Sequence, residues 1–223
     1  MPLLSLPLGG SGGWSSSSSS ATHMTTKSIE QIIPVEEQRF VLPSRQSWQQ
    51  FKAIQALMAE VPGVRVSYLD GCVELMTIGE EHEIIKTIIG LLLGLYFLER
   101  RIEFIPVGSA TRESEVKGTS FEPDQSYYIG ERKEHPDLSI EVAFTSGDTK
   151  KLERYKRFKI AEVWFWENNK LSLYHFCGED YEPISRSEFL PNLDLGLLVR
   201  CVLMPSQLEA MTEFLNAIRE QGR

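Results

Sequence analysis

Residues 119–159 read TSFEPDQSYYIGERKEHPDLSIEVAFTSGDTKKLERYKRFK and contain two apolar segments that each carry one acid. Asp124 follows a proline inside the apolar and aromatic run 121–129, which predicts a β-strand with the carboxylate on its inner edge. In the second segment, 138–144, apolar residues alternate with small or polar residues, and Glu141 lies on the face opposite the apolar side chains. The sequence therefore predicts two strands that each contribute one carboxylate.

A helix with an inward-facing lysine is predicted directly after these strands. Asp148 is a favourable N-cap residue for this helix. At about 100° per residue, three apolar positions form one stripe, namely Leu152, Tyr155 and Phe158. On the same helical wheel, Lys151 lies about 40° from the centre of the stripe and Lys150 lies about 140° from it. We therefore expect Lys151 to point inward and Lys150 to point to water.

Two carboxylates and one lysine in this arrangement suit the hydrolysis of a phosphodiester. Carboxylate oxygens are the ligands that Mg²⁺ prefers, and a neighbouring lysine can orient a water or stabilise charge on the phosphate. The same charges also suit a buried ion-pair network in which Lys151 neutralises Asp124 and Glu141, because buried acids are destabilising without a partner. Residue chemistry alone leaves both interpretations open.

The order and spacing of several motifs resemble one protein family. In chain order the motifs are Asp70-Gly71, His82, Pro123-Asp124, HPDLSIEV (135–142), Lys151 with Tyr155, AEVWFWE (161–167) and LPNLDL (190–195). From about Phe40 to Leu203, the chain resembles the bacterial Uma-type family of the PD-(D/E)XK restriction-endonuclease-like superfamily. The superfamily lysine normally stands two places after the glutamate, where this chain has Ala143. Uma-type proteins depart in the same way and carry the lysine on the following helix.

The resemblance implies an α/β, restriction-endonuclease-like fold with a central mixed β-sheet flanked by helices. It implies a metal-dependent endonuclease that acts on DNA, with Asp124, Glu141 and the main-chain carbonyl of Val142 as ligands of Mg²⁺ or Mn²⁺. Lys151 would position or activate the attacking water, and Tyr155, on the same helix face, would buttress Lys151. A homodimer is also expected, because many enzymes of the superfamily cut two strands with two subunits.

Two residues at the start of the predicted long helix are secondary candidates. In the superfamily an acid on the helix before the sheet often assists the metal, which indicates Glu83, and His82 occupies a position that recurs in the family. Alternatively, Glu83 interacts only with the helix dipole and His82 is a partly exposed histidine. Asp137 follows a proline at the start of a strand, and we expect it to be a turn or capping residue.

The composition is typical of one soluble globular domain. The chain has 223 residues, of which 42% are hydrophobic and 24% are charged, and no change of composition divides it. Its three cysteines lie far apart without a C-x-x-C pair, which argues against a disulfide framework or a zinc site and favours the cytoplasm. The longest apolar run, 84–98, is interrupted by Lys86 and is too short to span a bilayer, so we expect no membrane association.

The charge distribution is uneven. A formal net charge of -8 argues against a general nucleic-acid binder, because phosphate contacts require lysine and arginine. The helix around Lys151 differs, since it carries Glu153 as its only acid beside Lys150, Lys151, Arg154, Lys156, Arg157 and Lys159. This basic helix is either part of a DNA-binding surface or simply a solvated helix face.

Three segments are distinguished along the chain. Residues 1–24 have the glycine and serine runs of a tag or cloning linker, residues 25–43 are a lead-in, and residues 44–223 form a single nuclease-like domain. Within the domain we expect a first helix, a hairpin that turns at Asp70-Gly71, a long helix, the two acid-bearing strands, the basic helix, a second hairpin at Asn168-Asn169 and a terminal helix. This order indicates an α/β fold.

Two other functions remain compatible with the sequence. The chain could be a catalytically silent member of the same fold that binds nucleic acid or a protein, in which case substitution of Asp124 would leave its function intact. It could instead hydrolyse smaller phosphate esters, and it would then show no salt-dependent binding of DNA.

Overall fold

The structure is a computed structural model that describes residues 37–143 and 150–221. These residues all lie within one unit, Pro34–Arg223. The segment predicted to be a linker, 1–24, lies outside the described residues, as does the lead-in segment up to residue 36.

The described residues form eleven strands and five helices. The strands are β1 (Arg39–Val41), β2 (Val64–Leu69), β3 (Cys72–Thr77), β4 (Phe104–Pro106), β5 (Arg112–Ser114), β6 (Thr119–Phe121), β7 (Gln125–Ile129), β8 (Leu138–Ala143), β9 (Glu162–Glu167), β10 (Lys170–Phe176) and β11 (Tyr181–Ile184). The helices are α1 (Trp48–Met58), α2 (Glu80–Arg100), α3 (Lys150–Phe158), α4 (Leu195–Val202) and α5 (Gln207–Gln221).

The strands are arranged in two sheets. The first sheet has five strands in the order β1-β3-β2-β6-β5, and all of its pairings are antiparallel. The second sheet has six strands in the order β11-β10-β9-β8-β7-β4. In this sheet β8 and β9 pair in parallel and the other pairings are antiparallel. The predicted α/β fold with a mixed sheet is confirmed, and the chain adds an antiparallel sheet built largely from the first hairpin.

The parallel pair explains the position of α3. Parallel strands need a crossover connection, and α3 lies in the connection between β8 and β9. Its predicted apolar stripe, Leu152, Tyr155 and Phe158, is confirmed, because all three side chains are buried in one cluster with Phe121 and Phe165. The basic helix is therefore fixed beside the strand that carries the second acid.

The opposite face of the mixed sheet carries the main core. Leu138, Ile140 and Val142 of β8 pack there with Trp164 and Trp166 of β9 and with the apolar faces of α2, α4 and α5. This confirms the predicted alternation along β8, and Phe144 at its predicted end lies outside the described residues. Among the helices of the described residues, none has the length and apolarity needed to cross a membrane.

Two hairpin turns occur where the sequence predicts them. Asp70 and Gly71 have positive φ angles of 46° and 90° and join β2 to β3. Asn168 and Asn169, with φ angles of 50° and 59°, join β9 to β10. Two consecutive residues with positive φ give a backbone twist that matches the twist of the flanking strands, which is why Gly and Asn are favoured here.

The first sheet presents different chemistry on its two faces. Val66, Tyr68 and Val73 point to one face, where they pack with Phe51 of α1. The alternate residues point to the other face, and Arg65, Ser67, Glu74 and Met76 line a cavity there together with α3 residues. Strand β1, at the end of the predicted lead-in, completes this sheet by pairing with β3.

We expect Gly71→Ala to lower the free energy of unfolding by about 1 to 2 kcal/mol, because a Cβ is strained in left-handed backbone. The added Cβ would also lie 3.2 Å from Cβ of Arg45. Gly94→Ala is the control, since its Cβ would meet no atom within 4 Å and alanine favours the interior of a helix. Urea denaturation measures both variants, and an equal or greater loss in Gly94→Ala would contradict the expectation.

Candidate active site

The three main candidates from the sequence lie together where β7, β8 and α3 meet. Asp124, Glu141 and Lys151 are 1%, 8% and 5% exposed. Glu141 interacts electrostatically with both other residues, repelled by Asp124 and attracted by Lys151. Three charged side chains with so little exposure are uncommon, and such sites are often functional.

The local structure around Asp124 differs from the prediction. The apolar run 121–129 is not one strand, because β6 ends at Phe121 and β7 begins at Gln125. Pro123 has no N–H for a sheet hydrogen bond, and the chain passes here from the first sheet to the second. Asp124 therefore lies directly before β7, where its N–H donates to the carbonyl of Ile140 at 3.1 Å.

The carboxylate of Asp124 accepts hydrogen bonds from three parts of the chain. Its Oδ2 accepts from the N–H of Val142 at 2.7 Å, and its Oδ1 lies 2.8 Å from Nε2 of His82 and also accepts from Nη1 of Arg65. Burial acts to raise the pKa of Asp124, but the hydrogen bond and charge of His82, with Arg65 and Val142, lower it below its usual value. Asp124 is therefore held as a carboxylate.

His82 bridges two acids and is not the partly exposed histidine of the alternative interpretation. The side chain is fully buried, with Nε2 on Asp124 and Nδ1 3.1 Å from Oε2 of Glu37. Burial alone would lower the pKa of His82, but these two carboxylates raise it to about 9. His82 is therefore a cation at neutral pH.

Glu83, the other secondary candidate, does not reach this cluster. Its carboxylate is 45% exposed and pairs with Lys86 on the same helix at 2.5 Å. Asp137 also stays outside and caps a turn, as predicted, since its carboxylate accepts from the N–H of Ile129 at 2.8 Å and pairs with Lys133 at 2.7 Å.

The environment of Glu141 contrasts with that of Asp124. Its Oε1 accepts a hydrogen bond from the hydroxyl of Tyr155. Burial raises the pKa of Glu141, the negative charge of Asp124 raises it further, and Lys151, Tyr155 and Arg65 only partly oppose this. Burial and Glu141 also raise the pKa of Tyr155 well above its usual value, so this phenol remains a donor. Two neighbouring acids thus differ in proton affinity, as acid and base partners in enzymes often do.

Lys151 faces inward, as the helical wheel predicts, but it does not neutralise both acids. Within the described residues, no ion pair of 4 Å or less joins Lys151 to Asp124 or Glu141, and Asp124 is paired with Arg65 and His82 instead. In the alternative interpretation Lys151 neutralises both acids, whereas among the described residues Arg65 and His82 pair with Asp124 and Lys151 attracts Glu141 without an ion pair. The predicted N-cap Asp148 and the side chain of Lys150 lie outside the described residues.

Arg65 of β2 is the main site residue that the sequence patterns do not identify. Its side chain is 13% exposed and contacts Asp124, with Glu122 3.9 Å from its Nε. It also interacts electrostatically with Glu141. An arginine on the polar side of an alternating strand is usually solvated, and nothing in the alternation indicates which element covers that side.

A small cavity lies beside these groups. Its volume is about 30 Å³, and its walls include Arg65, Glu74, Glu122, Glu141, Lys151 and Arg154. This is roughly the volume of one or two waters. Depressions of about 450 Å³ and 690 Å³ lie elsewhere, partly lined by α5, and contain none of these residues. The grouping of charged side chains, and not the size of a depression, therefore identifies the site.

The oxygen atoms around Glu141 suit a hard divalent cation. Its Oε2 accepts no hydrogen bond from any described residue. The N–H of Val142 points to Asp124, and its carbonyl lies on the same side of the strand, because N–H and C=O of one strand residue point the same way. In the part of the chain that the structure describes, no three or more His, Cys, Asp or Glu side chains form a metal-binding group. The oxygen donors of a site here would be two carboxylates and one carbonyl, a set that suits Mg²⁺ or Mn²⁺.

We expect the free energy of unfolding to decrease as the pH rises from about 6.5 to 9. Protonated His82 stabilises fully below 6.5, the ordinary value of its pKa, and this contribution is lost as the pH passes through about 9. The loss is at most about 3 kcal/mol, from 1.36 kcal/mol per pKa unit.

Urea denaturation at several pH values between 6 and 10 measures this dependence. His82→Gln should be less stable than the wild type at pH 6 and should lose less stability on going to pH 9. A variant with the full wild-type dependence on pH would show that another group is responsible.

Similarity to known proteins identifies a family. A search of curated proteins finds no match. A model of the Uma2 family, described as "Putative restriction endonuclease", matches residues 48–203. The match spans α1 to α4 and includes Arg65, His82, Asp124, Glu141 and Lys151. With well over half of its residues matched, the chain belongs to the Uma2 family and has a restriction-endonuclease-like fold.

Proposed function

We propose that this protein is a metal-dependent endonuclease that hydrolyses phosphodiester bonds in DNA. The observation that carries the proposal is the burial of Asp124 and Glu141 as electrostatic neighbours. The buried Lys151 attracts Glu141 and is joined to neither acid by an ion pair within the described residues. Arg65 and His82 compensate Asp124. No ion pair within the described residues compensates Glu141, and a purely structural buried acid would be expected to have one.

Asp124, Glu141 and the carbonyl of Val142 would hold Mg²⁺ or Mn²⁺. When bound, such a cation polarises a phosphoryl oxygen and makes a coordinated water more acidic. Burial and the charge of Asp124 raise the pKa of Glu141, so a nearby positive charge is favourable for its ionised form. The hydroxyl of Tyr155 donates to one oxygen of Glu141, and no described residue donates to the other.

Lys151 would position the attacking water and stabilise charge on the phosphate. Its ammonium group is a mobile donor of three hydrogen bonds, and it lines the cavity that Glu141 also lines. The apolar stripe of α3 packs the helix against the sheet and so fixes the backbone position of Lys151. Tyr155 supports Lys151 indirectly, because its hydroxyl orients the carboxylate that attracts the ammonium group.

His82 and Arg65 would position Asp124 and limit its affinity for the cation. Both cations contact Oδ1 of Asp124, so an incoming Mg²⁺ would compete with positive charge that is already present. The same observation favours a second candidate function, a catalytically silent protein that binds nucleic acid or a protein. Metal binding and cleavage distinguish the two.

We also propose that the protein acts as a homodimer in the cytoplasm. Ile84, Leu91 and Leu98 are 48%, 47% and 73% exposed, and their seven-residue spacing places them on one face of α2. Antiparallel pairing of two α2 helices around Leu91 would bring Ile84 of one copy beside Leu98 of the other. It would also bring the acidic first turn of one helix near the exposed Arg101 of the other. The free thiols of the three cysteines suit a reducing compartment.

Cleavage of DNA tests the main proposal. Supercoiled, linear and single-stranded DNA and a small phosphodiester are incubated with Mg²⁺ or Mn²⁺, with the wild type, Asp124→Ala, Lys151→Ala and the exposed control Lys170→Ala. We expect the first two variants to lose about 100-fold or more in rate, the size typical of removing one preorganised charged group. The control should cut like the wild type.

Two results would contradict the proposal. A wild type that cuts no substrate and binds no metal favours the silent binding protein. Cleavage of the small ester without cleavage of DNA favours a phosphate-ester hydrolase. Circular dichroism of each variant separates loss of activity from loss of folding.

Light scattering after size-exclusion chromatography tests the homodimer. We expect Leu91→Lys to weaken self-association by about tenfold or more, because the substitution buries an unpaired charge at the centre of the contact. Leu208→Lys, at another exposed leucine, is the control and should leave association unchanged. A wild type that stays monomeric at all concentrations would rule out this proposal.

A further inference from the structure

Glu74 of β3 is the centre of a second charged cluster. Arg39 of β1 donates to both of its oxygens, from Nε at 3.3 Å and from Nη2 at 2.7 Å. Arg154 of α3 donates from Nη2 to Oε2 at 3.3 Å. Burial acts to raise the pKa of Glu74, but Arg154 and Arg39 lower it below its usual value. A buried carboxylate is thus held by two guanidinium groups from different elements.

This cluster adjoins the candidate catalytic groups. Glu74 and Arg154 line the same cavity as Glu141 and Lys151, and Lys151 also attracts Glu74 electrostatically. Arg154 follows Lys151 by three residues on α3, so both side chains leave neighbouring positions of the helix surface. Any group that binds the two arginines therefore lies next to the proposed site of cleavage.

The donors of the cluster suit an anion with more oxygens than a carboxylate. Guanidinium groups bind phosphate through paired hydrogen bonds, and phosphate offers more acceptor oxygens than Glu74 can. Nε of Arg154 is buried, and no described residue accepts a hydrogen bond from it. An unpaired buried donor is costly, and a phosphate oxygen would satisfy it.

We propose that Arg39 and Arg154 form a binding site for a backbone phosphate of the DNA, beside the phosphate that is cleaved, and that Glu74 takes the place of this phosphate in the free protein. This inference rests on the proposed function. Substrate would displace Glu74 from the arginines, and its carboxylate would swing toward solvent. The competition would also weaken binding of nucleic acid in general, in keeping with the net charge of -8.

Binding of a fluorescent DNA duplex, measured by anisotropy in EDTA over a range of salt concentrations, tests the inference without cleavage. We expect Glu74→Gln to bind about tenfold more tightly than the wild type, because the competing charge is removed while the shape is kept. Arg154→Gln and Arg39→Gln should each bind about tenfold more weakly. The slope of log affinity against log salt concentration should become shallower by about one for each phosphate contact that is lost.

A control is the ion pair of Lys52 and Glu113, which are 2.9 Å apart and do not line the cavity. Lys52→Gln and Glu113→Gln remove one cation and one anion, as the test variants do, and should change affinity by less than about twofold. A change equal to that of the test variants would show that only net charge matters and would overturn the inference.

Thermal unfolding in the presence of inorganic phosphate distinguishes a site for a backbone phosphate of DNA from a site for free phosphate. Stabilisation of Glu74→Gln by phosphate together with tighter duplex binding supports a site for backbone phosphate. Stabilisation by phosphate with unchanged duplex binding would indicate a site for free phosphate and would overturn the proposal.

The outcomes also separate this inference from the proposed function. A wild type that cuts DNA while the Glu74 and Arg154 variants bind the duplex as the wild type does would leave the function intact and reduce the cluster to a structural ion-pair network. Absence of both cutting and duplex binding in every variant would remove the proposed function as well.

Discussion

A carboxylate buried as completely as that of Asp124 remains ionised only when donors surround it, and this requirement links the parts of the structure. Val142 supplies a main-chain N–H from β8, His82 supplies a ring N–H from α2, and Arg65 supplies a guanidinium from β2. Each donor belongs to a different element, so the helix and the two sheets must be in place before the acid is compensated. Removing one donor would leave an incompletely paired charge in the interior, which is far costlier than losing a surface contact.

The positive groups that stabilise this interior also bear on the proposed binding of a metal. Asp124 is already neutralised, whereas Glu141 is not, and the pKa values of the two acids move in opposite directions. A divalent cation would relieve Glu141 but would have to share Asp124 with Arg65 and His82. If the two acids bind metal as proposed, stability of the fold and affinity for metal are opposed, as is common where a binding site is formed from buried charges.

The two sheets contribute different residues to the candidate site. The mixed sheet and α3 provide the two acids, Tyr155 and Lys151, while the polar face of the antiparallel sheet covers them with Arg65 and Glu74. The apolar face of the same antiparallel sheet packs on α1. One alternating hairpin thus forms a small core on one side and the wall of a charged cavity on the other. Glu74 and Glu141 line the same cavity, which is why the Glu74 cluster enters the proposed function.

The sequence by itself determines the features that depend on local periodicity. The alternation around Glu141, the stripe of α3 that turns Lys151 inward and the two hairpin turns follow from side-chain spacing and from backbone preferences within a few residues. The break of the strand at Asp124 and the roles of Arg65, His82 and Glu74 depend on contacts between residues far apart, such as the pairing of Leu69 with Thr119. Periodicity states which side of an element is polar, but only tertiary packing decides whether that side faces water or a buried acid.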